Sequence, residues 1–146
     1  MKQLKILITS LVLFGFIPIA FATSNSPVGN WTTIDDKTGK ERAVVEISQL
    51  DDKLYGTIQK VYKQAGDLGH CIKCPGKFKD KNIVGLTFLW DLKKSGNNVW
   101  SSGQILDPKN GKIYRAKATL SKNGKKLYVR GYMGVSLLGR TQVWVR

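Results

Sequence analysis

The chain has 146 residues, with 24 basic against 10 acidic side chains, a formal net charge of +14, one histidine and two cysteines. That length suits a single domain with a modest core. One histidine argues against a serine–histidine triad, and the chain has neither a phosphate-binding loop nor a dinucleotide fingerprint.

Taken in chain order, Lys2 and Lys5 precede an apolar run over 6–21, broken by Thr9 and Ser10. Ala20-Phe21-Ala22 then supplies the small-x-small pattern that a signal peptidase reads. This predicts a leader over 1–22 and a mature domain of 124 residues over 23–146, periplasmic or secreted. An uncleaved anchor is the alternative, although the run is slightly short for a membrane span. No cysteine stands at the cleavage point for lipid attachment, and no second spanning stretch follows, so the cleaved protein is not an integral membrane protein.

Beyond the leader, short runs rich in Val, Ile, Tyr, Trp and Thr alternate with turn clusters. They predict strands at 28–34, 42–49, 54–61, 83–92, 99–106, 113–120, 126–132 and 140–146. Asn110-Gly111 and Asn123-Gly124 suit tight hairpins, because both residues tolerate positive φ. Tyr114, Ala116, Ala118 and Leu120 share one face opposite Arg115, Lys117 and Thr119, the half-buried pattern of antiparallel sheet. The run at 83–92 is nearly all apolar, which predicts a strand covered on both sides. Eight hairpin-linked strands predict an all-β, antiparallel up-and-down barrel, since closure removes exposed edges; a sandwich is the alternative. The only long connection, 62–82, carries both cysteines.

Pro27-Val28-Gly29-Asn30-Trp31 opens the domain, and the segment from Arg130-Gly131-Tyr132-Met133-Gly134 to Arg140-Thr141-Gln142-Val143-Trp144 closes it. With Cys71-Ile72-Lys73-Cys74-Pro75 and Ile105-Leu106-Asp107-Pro108 between them, the chain resembles the bacterial "domain of unknown function 2147" family. That resemblance implies a small, lipocalin-like exported barrel and no particular reaction. Gly29-Asn30-Trp31 is also similar to the glycine-x-tryptophan signature of lipocalins. There the indole packs at the closed barrel end beneath a basic side chain of the last strand, a role that Arg140 or Arg146 would fill. The chain is shorter than a typical lipocalin and lacks the helix after the barrel, which argues against a roomy cavity. An eight-stranded barrel fills itself or holds one small ligand.

Cys71 and Cys74 have the spacing of a redox motif, a half metal site or a small disulfide loop. A thioredoxin-type thiolate needs a helix running on from the second cysteine, whereas Pro75-Gly76 follows here. A closed zinc site needs four ligands, so His70 and Asp67 or Asp80 would have to join the pair. In an oxidising compartment the simplest reading is a disulfide, and neither metal nor cofactor is expected.

A binding surface is the remaining candidate. Tyr128, Arg130 and Tyr132 share one face of the seventh strand, and Arg140, Gln142, Trp144 and Arg146 share one face of the eighth. Joined across adjacent strands, they would form an aromatic–basic patch for an anionic group. Leu137 and Leu138, in a glycine-flanked connection, would plug a barrel end or line its mouth. The expected function is a non-enzymatic exported barrel that binds a small amphipathic or anionic ligand. A thiol-disulfide protein and a basic protein docking on an anionic envelope surface are the alternatives, and export argues against nucleic acid.

Overall fold

The computed structural model describes residues 26–146. The leader expected over 1–22 and the first residues of the domain expected over 23–146 lie outside the described residues. Eight strands follow in order: β1 (Gly29–Ile34), β2 (Glu41–Leu50), β3 (Lys53–Val61), β4 (Thr87–Gly96), β5 (Val99–Leu106), β6 (Ile113–Leu120), β7 (Lys126–Tyr132) and β8 (Gly139–Val145). Each pairs antiparallel with the next, and β8 returns to β1 through Thr32–Val145 and Thr33–Trp144. The sheet is therefore a closed up-and-down barrel, not a sandwich. Its only helical piece among the described residues is the short 3-10 turn Gly76–Phe78, and no helix there is long and apolar enough to cross a membrane.

Side chains alternate between the two faces of a strand, and directly paired residues share a face, so the register shows what lies inside. Trp31, Val45, Ile47, Leu54, Leu89 and Trp144 are buried there, with Trp100, Leu120, Leu127 and Val129. Small residues opposite them make the room. At Gly103 an added Cβ would stand 2.7 Å from Leu92 Cγ and 2.8 Å from the Trp90 carbonyl oxygen. Ala116 and Ala118 of β6 are likewise fully enclosed.

The expectation for 83–92 needs correction. β4 begins only at Thr87 and runs on to Gly96, while Ile83–Leu86 belongs to the preceding connection. Two irregularities disturb the alternation. Phe88 and Leu89 are both buried where β4 shifts register against β3, and Phe88 lies against Trp144 with ring centroids 6.0 Å apart. Asp91 then takes a left-handed conformation, φ 59°, and Ser102 on β5 does the same at φ 61°. Such bulges re-aim side chains, so an apolar run here does not report two covered faces. Asp91 itself points outward, where it accepts hydrogen bonds from Lys53 Nζ (3.0 Å) and Tyr55 OH (3.1 Å). The lysine and tyrosine contacts hold its carboxyl below the usual range, against some burial.

Turn chemistry differs between the two barrel ends. At one end, Asp51–Asp52 and Asn97–Asn98 join β2–β3 and β4–β5 in tight turns, with left-handed φ at Asp51, Asp52 and Asn98, beside a longer β6–β7 turn in which Ser121 N–H donates to Lys126 O (2.9 Å). The two Asn-Gly pairs expected to form tight hairpins sit instead inside longer turns. Asp35–Lys40 and Asp107–Lys112 share one pattern, Asp-x-Lys-x-Gly-Lys, and fold alike. In both, the first residue's N–H donates to the last carbonyl (2.9 Å), and the glycine N–H donates back to the aspartate carbonyl (2.8 Å). The aspartate carboxylate caps the turn, accepting from Lys37 and Thr38 N–H in one and from Lys109 N–H in the other.

The long connection folds onto the barrel wall. Cys71 and Cys74 are joined by a disulfide, and the Cys71 N–H donates to Lys81 O (2.8 Å), closing a hairpin braced by the His70–Asn82 bridge. Phe78 stacks on Trp90, centroids 5.5 Å apart, on the outer face of β4. An added Cβ at Gly111 would overlap the Lys73 carbonyl, so this glycine lets the connection dock on the β5–β6 turn. Arg42 fixes its start, donating to Tyr62 O (2.9 Å) and, bidentately, to Asp67 (2.7 and 2.8 Å).

Candidate functional site

Trp31 enters the barrel from β1 at the end where the turns are tight. Its Nε1 donates to Pro27 O at 2.7 Å, and the Arg146 guanidinium lies 4.4 Å from the ring centroid. That guanidinium also donates to the carbonyls of Gly124 (2.7 Å), Val28 (3.1 Å) and Ser26 (3.0 Å). One cation thus covers the indole and ties the residues before β1 to the β6–β7 turn. Arg140 does not share this role. It stands at the opposite end of β8, donating through Nε and Nη2 to the two carboxylate oxygens of Asp36, with Nε–Oδ2 at 2.6 Å. The arginine hydrogen bonds hold the Asp36 carboxyl below the usual carboxylate range. The barrel-end packing is made by Trp31 and Arg146.

The aromatic–basic patch expected from β7 and β8 is divided by the barrel wall. Tyr128 pairs with Val143 and Arg130 with Thr141, whereas Gln142 pairs with the buried Val129 and Trp144 with the buried Leu127. Paired residues share a face. Tyr128, Arg130 and Tyr132 therefore line the outside, while Gln142 and Trp144 turn toward the lumen. Arg130 is occupied: it donates to Ser136 O (2.6 Å), Leu137 O (3.0 Å) and Thr141 Oγ1 (2.9 Å), organising the β7–β8 connection. Nor do Leu137 and Leu138 plug the barrel, being 88% and 72% exposed.

One interior group stands out electrostatically. Trp144 is 0% exposed, and among the described residues its Nε1 is the one buried side-chain polar atom without a hydrogen-bond partner. Trp31 and Trp90 both satisfy theirs, Trp90 on Gln104 Oε1 at 3.0 Å. An unpaired buried donor costs about 1–3 kcal/mol. Its immediate wall is apolar apart from the half-buried Gln142, two residues away on the same face, and the buried Thr33, which is paired to Trp144 across the β1–β8 seam. Sequence reasoning grouped Trp144 with surface residues because strand parity alone does not tell inside from outside.

The disulfide loop offers poor access for thiol chemistry. Cys71 and Cys74 are 0% and 4% exposed, within the same apolar cluster as Leu106. Attack on a disulfide needs an approaching thiolate, so a buried pair is a staple geometry. His70 is exposed, and Asp67 is committed to Arg42. Among the described residues, no group of three or more His, Cys, Asp or Glu side chains could hold a metal. A groove lined by Lys77, Phe78, Lys81, Asn82 and Val84 lies on the connection, outside the lumen.

Comparison with known proteins agrees with this architecture. Protein HP1028 of the human pathogen Helicobacter pylori, described as belonging to the lipocalin family, superposes with a TM-score of 0.71 at 22% identity, covering 83% of this chain and 82% of that one. At that identity the likeness speaks for the fold. No match is found among curated proteins. The family model of an uncharacterized protein conserved in bacteria, the domain of unknown function 2147, matches residues 29–146. From β1 to the arginine that caps Trp31, the chain belongs to that bacterial family.

Proposed function

We propose that the protein is an exported, non-enzymatic barrel that holds one small amphipathic or anionic molecule. The observation that carries the reading is the Trp144 Nε1–H, enclosed in an interior that is apolar apart from Thr33 and Gln142 and left without an acceptor. A carboxylate, carbonyl or similar oxygen brought to that nitrogen removes the cost of the unpaired donor, and the surrounding Leu and Val side chains suit an apolar tail. The interior already holds Trp31, Trp100, Trp144 and Phe88, which restricts the guest to a small one. A basic surface raises the local concentration of anions. The buried Cys71–Cys74 disulfide and the scarcity of acid–base groups favour binding over catalysis.

To test this, the protein is recovered from the periplasm of an expressing cell and examined by native mass spectrometry. Its melting is then followed with dodecanoate and, as a charge-reversed control, dodecylamine. A retained small molecule, or a dodecanoate-specific rise in Tm that weakens about fivefold in apparent affinity in Trp144→Phe, is expected. An empty barrel that responds to neither amphiphile would sink the ligand reading.

A further inference from the structure

The β7–β8 connection, Met133 to Leu138, joins two properties that rarely occur together: its apolar side chains are exposed and its backbone is held. Met133 and Val135 are each 60% exposed, and Leu137 and Leu138 more so. Soluble proteins do not usually group such residues on one short loop without a surface to cover them. Yet the loop is built. Leu138 N–H donates to Val135 O (3.0 Å), Gly134 supplies the left-handed turn at φ 69°, and Arg130 grips the carbonyls of Ser136 and Leu137. The guanidinium thus satisfies the polar backbone while the leucines project away from the barrel.

Strand order places this loop at the same end as the two Asp-x-Lys-x-Gly-Lys turns and the long connection. Lys37, Lys40, Lys109 and Lys112 are exposed on those turns, and Lys73 and Lys77 on the connection. The connection adds exposed Leu68, Ile72 and Val84. Apolar tips surrounded by ammonium groups match the chemistry of an anionic lipid surface, in which tips enter the acyl boundary and lysines meet phosphates. An anionic polymer would use the lysines alone and leave Leu137 and Leu138 unexplained.

We infer that this end of the barrel docks on anionic membranes, with Leu137 and Leu138 inserted as a preformed wedge. The docking is independent of any molecule held inside, and its test does not involve Trp144. Full-length protein recovered from the exporting cell is sedimented with phosphatidylglycerol-containing vesicles and with pure phosphatidylcholine vesicles. Binding to the former is expected, falling about tenfold or more in the double variant Leu137→Ser/Leu138→Ser while Tm is unchanged. In a Leu138→Trp variant, the emission difference from the parent protein should shift to the blue on adding anionic vesicles and be quenched by brominated acyl chains. Equal binding to both lipids, full binding by the double serine variant, or an unshifted difference spectrum for Leu138→Trp would overturn the proposal. The first result points to apolar insertion that does not use the lysines, and the second to adsorption by charge alone.

Discussion

The two ends of the barrel solve the same closure problem in opposite ways. At the tight-turn end, Trp31 fills the opening, Arg146 covers the indole, and the guanidinium bonds to backbone carbonyls from two segments. At the loop end, Arg130 and Arg140 also bind backbone or carboxylate, but what they organise is exposed loops. Arginine suits both tasks because its planar fork serves several acceptors at once. One end therefore holds the buried indole and its clasp, and the other concentrates the exposed apolar surface. A protein that binds something is expected to separate these roles, since interaction loops are drawn from the less stable parts of a fold.

The sharpest way to break this contrast is at the tight-turn end. Trp31→Ala removes a fully buried indole and should cost about 3–5 kcal/mol, read as a fall in the urea midpoint. Arg146→Met keeps part of the stem but loses the cation over the ring and the bonds to Gly124, Val28 and Ser26. It should cost about 2 kcal/mol in the same measurement. Asp67→Asn, which loosens the start of the long connection, should cost about 1 kcal/mol at neutral pH and speed proteolysis within 62–86.

This last effect depends on pH. Hydrogen bonds from Arg42, helped by the Gln64 N–H, hold the Asp67 carboxyl below its ordinary value despite some desolvation. A depressed native pKa stabilises fully above the unfolded value of about 3.9 and loses that contribution as pH falls through the native value. The difference between Asp67→Asn and the parent protein should therefore shrink below about pH 4. Smallest of all, Leu137→Ser/Leu138→Ser should leave global stability within about 0.5 kcal/mol, because both side chains are already in water. A large loss there would mean that the loop end contributes to the fold after all.

Strand number, the pairing of the two cysteines and the barrel class could all be read from residue order. β5, β6 and β7 have the expected bounds, because nothing interrupts the sequence signals of 99–106, 113–120 and 126–132 except the bulge at Ser102. β4 is displaced because bulges at Phe88 and Asp91 break a period of two, and period is the only signal a single strand offers. The β7–β8 patch fails for another reason. Faces of neighbouring strands are matched by register, and register is set by the connection at 133–138, whose geometry depends on Arg130. Arg140 and Arg146 have the same parity, so their sequence positions show a shared face. Six residues of strand separate them by about 20 Å, however, and only the barrel's ends decide which meets Trp31. The matched Asp-x-Lys-x-Gly-Lys turns were legible all along, as a repeated six-residue pattern that hairpin rules centred on Asn-Gly pass over.

The Arg146 clasp also has a consequence in time. Its bonds to Val28 and Ser26 join positions 118 and 120 residues apart, whereas every strand pairing other than β1–β8 is between neighbours in the chain. Seven hairpin steps can zip as the polypeptide emerges, yet the seam between β1 and β8 must wait for nearly the whole domain. Until then β1 presents a free edge beside an uncovered tryptophan. A cell that threads this chain through a membrane would meet its most adhesive form just before completion, and chaperone contact should be concentrated in that interval.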